Sequence, residues 1–401
     1  MKILSITAQK PHSTGSGTYL TELVRAFDRM GHRQAVVCGI YPDDSIDFPD
    51  GVACYPVFFS DELPFPIVGM SDIMPYTSTR YRDLTPEMIS QFEDAFIAAV
   101  GRAVDDLDPD LIICHHLFLL TALVRKHFPD RHIIGISHGT DLRQMVNCDD
   151  LRGLVRPYIA KLDLALALHE EQRAQIIELF GFDESKVAVI GSGYNNRLFN
   201  AEGRIERKPD DPVRICYAGK ISRPKGVPEM HKALAMLAED SEVPAFELTM
   251  AGGCQDDALK DSLDELPDYV TWLGQIPQPA LAELLRRTDI FVLPSYFEGL
   301  PLVLIEAMAS GAVPVSTDLP GVRSWIDANV GNPNVIYADM PEMKSIDEPT
   351  DAGRDAFTTD FSAVLNDALL GFESGALPGV LPDTSAITWD GVAARILKTE
   401  A

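Results

Sequence analysis

The sequence predicts an α/β chain built from two Rossmann-like domains. Three observations carry that expectation. Short apolar runs suited to strands buried on both faces alternate with helical segments along the chain. The stretch Lys2 to Ile40 reads as strand, glycine loop, helix, strand, the opening of a Rossmann-like unit. The polar stretch 201–212, rich in Arg, Lys, Pro and Asp, is followed at Val213 by a second strand and a second glycine loop, as at a domain edge.

In the first half, Lys2 to Thr7 is a strand and Ala8 to Thr18 a loop holding Gly15-Ser16-Gly17. Tyr19 to Met30 has helical spacing, with Leu20, Leu23, Val24 and Phe27 on one face. Gln34 to Ile40 is the next strand. Gly15-Ser16-Gly17-Thr18-Tyr19-Leu20 lacks the third glycine of G-x-G-x-x-G, so a dinucleotide cofactor is not expected. Gly15 and Gly17 stand either as a tight turn or as a close approach of the backbone to a ligand such as a phosphate. Between Tyr41 and Asp83 the alternation breaks, apart from a strand at Val52 to Phe59. The Pro-, Met- and Tyr-rich run 63–84 is long for a compact domain and is expected on the acceptor side.

Pro86 to Leu107 is a helix, and Leu111 to His115 a strand ending in His115-His116. Ile133 to Ser137 ends in His138-Gly139-Thr140-Asp141. Ligands of open α/β sheets bind beyond the C-terminal strand ends, which makes His138 a candidate and leaves His115 and His116 open. Asp106-Leu107-Asp108 has the spacing of a metal-binding Asp-x-Asp but ends a helix, so no metal site is expected. Leu164 to Leu168 and Val187 to Ile190 complete the first sheet.

In the second half, Val213 to Ala218 leads into a loop carrying Lys220, Arg223 and Lys225 before Gly226. Phe246 to Gly252 and Tyr269 to Leu273 are strands, the latter followed by Gly274-Gln275-Ile276-Pro277. Pro279 to Arg287 is a helix. The organising stretch is PSYFEGLPLVLIEAMASG, Pro294 to Gly311. The strand Ile290 to Leu293 precedes it. Glu298, Gly299, Leu300 and Pro301 form a turn, Leu302 to Ser310 a buried helix, and Gly311 its stop. Such a helix start offers free N–H groups to phosphate. Glu298 lies before it and Glu306 about 6 Å along it at ~1.5 Å per residue. An elongated ligand with a phosphate centre, such as a nucleotide-sugar, suits that spacing. Glu170/Glu178 and Glu239/Glu247 share the spacing but lack the Gly-Leu-Pro turn, so both pairs are read as accidents. Val313 to Thr317 and Val335 to Tyr337 continue the alternation. The run 339–355 reads as an acidic loop, and Thr358 to Phe372 and Ala386 to Lys398 as helices.

With its turn and helix, Glu298 to Glu306 resembles the Glu-x7-Glu segment of retaining glycosyltransferases, especially family 4 of the group 1 enzymes with the GT-B fold. Gly219-Lys220…Lys225-Gly226 resembles that family's Gly-Arg…Lys-Gly loop, with Lys220 in place of Arg and Arg223 nearby to compensate. His138-Gly139 is similar to the His-Gly that faces the donor sugar. The run 191–200 is similar to the inter-domain segment, with Ser192 and Asn195 replacing its usual Asn and Asp. Trp389 sits in a run that resembles the terminal helix crossing back to the first domain.

The resemblance implies two Rossmann-like domains facing across a cleft. Residues 1–192 form the acceptor domain, with helix 385–401 packing back on it, and 193–384 the donor domain. Glu298, His138, Lys225 and Lys220 are the implied catalytic residues. Gly15, Gly17, Lys220, Arg223, Lys225, Gln275, Ile276, Glu298, Gly299, Leu300, Pro301, Leu302 and Glu306 are the implied donor-binding set. A nucleotide-diphosphate sugar is the donor, the acceptor is a saccharide, small molecule or lipid-linked group, and neither cofactor nor metal is needed. The rival expectations are a nucleotide-sugar epimerase of the same architecture and a non-catalytic nucleotide-sugar-binding protein.

A net charge of −26 repels nucleic acid and anionic membrane surfaces, so neither is an expected partner. Six scattered cysteines without C-x-x-C point to reduced thiols, hence to the cytoplasm. No apolar run approaches the ~20 residues of a membrane span. Met1-Lys2-Ile3-Leu4 begins directly as strand, without a signal peptide pattern.

Overall fold

A computed structural model describes residues 1–254, 256–263 and 265–399. The chain divides into two compact α/β units. The first comprises Met1–Gly193 and the segment from Trp389 onward, and the second Tyr194–Thr388.

The first unit holds β1 (Lys2–Ile6), α1 (Gly15–Arg29), β2 (Arg33–Ile40), β3 (Ala53–Phe58), β4 (Val68–Gly69), β5 (Thr79–Arg80) and α2 (Pro86–Leu107). It continues with β6 (Leu111–His115), α3 (Leu119–His127), β7 (Ile133–Ile136), α4 (Thr140–Asn147), α5 (Asp149–Ile159), β8 (Leu164–Ala167), α6 (Glu170–Phe180) and β9 (Val187–Val189). Its sheet runs β3-β2-β1-β6-β7-β8-β9, and every pairing is parallel. Ile3, Leu4, Ile6, Ile112 and Ile113 are fully buried because helices cover both faces, which is why these strands read as unbroken apolar runs.

In the second unit come β10 (Val213–Ala218), α7 (Val227–Ala238), β11 (Phe246–Ala251), α8 (Asp257–Leu263), β12 (Val270–Trp272), α9 (Gln278–Arg287) and β13 (Ile290–Leu293). They are followed by α10 (Leu302–Ala309), β14 (Val313–Thr317), α11 (Val322–Asn329), β15 (Ile336–Ala338) and α12 (Asp351–Glu373). The sheet order is β12-β11-β10-β13-β14-β15, again parallel. The order reverses beside β10, so the loops after β10 and β13 flank a topological switch point, where open α/β sheets place ligands. The last helix, α13 (Trp389–Thr399), returns to the first unit.

Three helix starts differ from the sequence reading, and that of α10 agrees with it. Helix α1 starts at Gly15 rather than Tyr19, because the Thr14 hydroxyl accepts the Gly17 N–H and caps it. Gly15 and Gly17 are therefore first-turn residues and not loop residues. Helix α12 starts at Asp351, inside the stretch read as an acidic loop, because Thr350 caps it by accepting the Gly353 N–H. Helix α13 starts at Trp389, three residues after the expected Ala386, and the first residues of 385–401 belong to the second unit. Residues 400–401 of that expectation lie outside the described residues. Pro301 is the cap of α10, with extended backbone, and Leu302 its first residue.

Candidate functional site

Backbone contacts lock the strand ends of the second unit together. The Gly219 N–H donates to the Ala251 carbonyl at 2.9 Å, and the Gly252 N–H to the Gly274 carbonyl at 2.7 Å. Gly252 has φ +147°, and a Cβ there would lie 1.7 Å from the Gly219 oxygen, so the β10 and β11 ends approach more closely than any side chain allows. The Tyr217 hydroxyl donates to the Lys220 carbonyl at 2.6 Å and fixes the first bend of the loop.

Arg223–Lys225 then form one 3-10 turn, closed by Gly226 at φ +63°. A Cβ on Gly226 would meet the Pro294 oxygen at 2.1 Å, and the Tyr296 N–H donates to the Pro224 carbonyl at 3.0 Å. The cationic loop after β10 and the Glu298 loop after β13 are thereby one packed body.

That packing joins two predicted residues directly. Lys225 Nζ lies 2.6 Å from Glu298 Oε1, and it also donates to the Phe297 carbonyl at 3.3 Å. The Ser295 hydroxyl donates to the same Glu298 oxygen at 2.8 Å. Lys225 and Glu298 are both partly buried. Arg223 is exposed and pairs with Asp256 at 3.5 Å, while Lys220 is half-buried at the loop entrance. Burial pushes the Tyr217 phenol well above its usual range, with the charge of Glu298 adding to the effect, so it remains a neutral donor.

Gly299 is half-buried, Leu300 and Pro301 are buried, and Leu302 is the half-buried first residue of α10. Glu306 sits one turn in and is only 6 % exposed, whereas Glu170 and Glu178 of the spacing decoy are both exposed on α6. Gln275 is exposed and Ile276 half-buried, just past Gly274 at φ +66°.

In the first unit, the turn His138-Gly139-Thr140-Asp141 is held by a buried carboxylate that the sequence reading did not single out. Asp141 accepts the Leu117 N–H at 2.7 Å, the Ser137 hydroxyl at 2.9 Å and the His138 N–H at 3.2 Å. The predicted His138 is half-buried at the end of β7. Its ring stacks on His115 at 5.3 Å with an 8° interplanar angle, and His115 Nδ1 is 3.1 Å from His138 Nε2. His116 and Tyr19 meet it edge-on at 4.8 and 5.0 Å. Burial first, then the neighbouring histidines, push His138 well below the ordinary imidazole range, and burial takes His115 to about 3. The pair is neutral near pH 7, with one ring donating and the other accepting.

Gly17 is needed for packing: a Cβ there would lie 2.6 Å from the Lys10 carbonyl. Gly15 has open space around it. Asp106 accepts the Tyr55 hydroxyl at 2.8 Å, and Asp108 pairs with Arg131 at 2.8 Å, so Asp-x-Asp is occupied by protein contacts. Among the described residues no group of three or more His, Cys, Asp or Glu is arranged to hold a metal ion. Among them, too, no helix is long and apolar enough to cross a membrane.

Two family profiles match adjoining parts of the chain. Glycosyltransferase Family 4 covers residues 13–197 and Glycosyl transferases group 1 covers 199–345. A Bacillus subtilis protein named for teichuronic acid biosynthesis, TuaC, is 30% identical over 230 residues, 55% of this chain and 56% of that protein. The D-inositol 3-phosphate glycosyltransferase of Nocardia farcinica is 28% identical over 182 residues, 42% of this chain and 40% of that one. The chain spans about half the length of the curated relatives it matches. Sucrose-phosphate synthase from Thermosynechococcus elongatus superposes with a TM-score of 0.68 at 17% identity, over 100% of this chain and 98% of that one. Anabaena HepE, in complex with UDP and glucose, gives 0.59 at 16% identity, over 100% and 99% of the two chains.

Proposed function

The chain belongs to the group 1, family 4 glycosyltransferases of the GT-B fold, and from that membership we propose that it transfers a sugar from a nucleotide-diphosphate sugar to an acceptor with retention at the anomeric carbon. The observation that carries the reading is the joining of Lys225 and Glu298 in one packed body at the start of α10. A cation for the leaving diphosphate and a carboxylate for a sugar hydroxyl stand side by side at the start of a helix, the end whose dipole favours anions. In this reading Lys225 and Lys220 neutralise charge as the sugar–phosphate bond breaks. Glu306 accepts ribose hydroxyls, and the N–H groups of Gly299, Leu300 and Leu302, Pro301 having none, meet phosphate or sugar. Gln275 and Ile276 lie by the base. The neutral His138 offers its ring to the sugar.

Protein cations supply the charge neutralisation, so the reaction needs no metal in this proposal, and the cytoplasm is the compartment that suits it. The acceptor is a saccharide, a small molecule or a lipid-linked group. The test incubates the protein with UDP-, GDP- and ADP-sugars and an acceptor panel, and follows nucleoside diphosphate release and the anomeric configuration of the product. Release with retention supports the proposal. Interconversion of sugars without release points to an epimerase, and binding without either points to a sensor.

A further inference from the structure

We infer that Ser295 is a positioning residue for sugar transfer, holding the Glu298 carboxylate in register; the inference rests on the donor-site reading above. Ser295 is fully buried where β13 runs into the loop, so its hydroxyl is confined. That hydroxyl donates to Glu298 Oε1 at 2.8 Å, and Lys225 Nζ reaches the same oxygen at 2.6 Å. Among the described residues, both of these donors fall on one oxygen of the carboxylate. A carboxylate has two oxygens and about four acceptor directions. With Oε1 gripped by a neutral and a charged donor, Oε2 is the oxygen left to accept from a ligand, and its direction follows from the other two.

The backbone around Ser295 supports that role. Pro294 before it is packed against Gly226, and Tyr296 after it donates its N–H to the Pro224 carbonyl at 3.0 Å. The residue is pinned on both sides to the body that carries Lys225. Ser295 is therefore a fixed donor, whereas Glu298 is a longer side chain on a loop that needs one. Lys225 alone does not supply a fixed direction, because its ammonium sits on a flexible stem and also serves Phe297. The hydroxyl restricts the carboxylate rotation that such an ion pair leaves free.

The experiment compares Ser295→Ala, Ser295→Thr, Ser295→Cys and Glu298→Gln with the wild type. Calorimetry gives the affinity for UDP, GDP and ADP, and a coupled assay gives nucleoside diphosphate release from the matching glucose conjugates, to water and to a free-sugar panel. Ser295→Ala is expected to lower the release rate about tenfold, the scale of one lost hydrogen bond to a charged group, with nucleoside diphosphate affinity held within about twofold. Ser295→Thr, which keeps the hydroxyl, restores the rate, and Ser295→Cys, a weaker donor, falls between. Glu298→Gln must also lower release.

A Ser295→Ala rate equal to wild type while Glu298→Gln is impaired overturns the inference and leaves the donor-site reading standing. Equal losses of nucleoside diphosphate affinity and rate in Ser295→Ala also overturn it, since they mark a collapsed loop. Should Ser295→Ala fail to fold, the order of Thr above Cys in release rate decides the matter. A wild type that binds none of the nucleotides brings down the donor-site reading itself, and the inference with it.

Discussion

Glu298→Gln is expected to tighten, not weaken, the binding of a free nucleoside diphosphate. Glu298 lies 2.6 Å from Lys225 Nζ, so its charge offsets the cation that a diphosphate would use. A phosphate oxygen bonded to the same ammonium sits about 2.8 Å from Nζ, which places it about 5 Å from the carboxylate. Two like charges at that separation repel by about 1 kcal/mol in a water-like medium and by about 3 kcal/mol at an effective dielectric near 20. The side chains are 24% and 18% exposed, so the answer falls inside that range. Affinity for UDP, GDP or ADP should rise by roughly 5- to 100-fold. The Phe297 carbonyl remains an acceptor for the ammonium, at 3.3 Å, when the carboxylate is neutralised. The intact nucleotide-sugar gains less, since it loses a charged acceptor for its hydroxyl. Titration calorimetry at low salt measures both ligands. A weaker nucleoside diphosphate complex in Glu298→Gln would refute the reasoning, for it would mean that the carboxylate orients Lys225 more than it competes for it.

Other outcomes are equally concrete. Glu306→Ala should cost roughly 1.5–3 kcal/mol in nucleoside diphosphate binding, while Glu170→Ala and Glu178→Ala, both at exposed positions, leave it unchanged by calorimetry. Chelation with EDTA should leave nucleoside diphosphate release intact, and loss restored only by Mn²⁺ or Mg²⁺ would contradict a protein-cation mechanism. Acid should destabilise the first unit through its histidines. His115 falls from 6.5 to about 3 on folding, so the unfolded chain binds more protons between those values. The associated stability is fully present above pH 6.5 and declines as pH falls towards 3, by about 2 kcal/mol at pH 5 for this group. His115→Asn should flatten the urea-midpoint profile between pH 7 and 5, and a profile as steep as wild type would count against the buried neutral histidine.

Much of the fold was legible because its strands are covered on both faces. Leu111 to His115 and Ile290 to Leu293 read as strands from apolar continuity alone, and both ranges recur in the structure. Helix α2 was equally plain, and the range read for it, Pro86–Leu107, is the one observed. Two of the misread starts, those of α1 and α12, share one cause. Thr14 and Thr350 are caps, and a glycine pair and an acidic run outweighed a single hydroxyl in each reading. At the site, Glu298, Lys225 and Glu306 were visible as residue types in a motif. Their contacts were not, because the Lys225–Glu298 pair closes between two loops far apart in sequence and depends on Gly226 fitting against Pro294. Asp141 escaped notice because two of its three donors are backbone N–H groups, which any residue type supplies. A carboxylate placed three residues after the histidine of a strand-end turn is the signal that was there to read.

The chain leaves the first unit after Gly193 and re-enters it at Trp389. The second unit begins and ends side by side, since Tyr194 bridges to Thr388 and its N–H reaches the Ile387 carbonyl at 3.4 Å. During synthesis the second unit is therefore a complete cassette before the first has its closing piece. Until α13 emerges, Tyr19 lacks the Trp389 ring that lies 4.8 Å from it, and the Ile190 carbonyl lacks the Arg395 guanidinium that donates to it at 2.9 Å. The ribosome thus makes the unit that starts first the one that finishes last. A gene fragment encoding 194–388 is the natural piece to express alone, whereas the other unit calls for two fragments or a permuted chain in which α13 precedes β1.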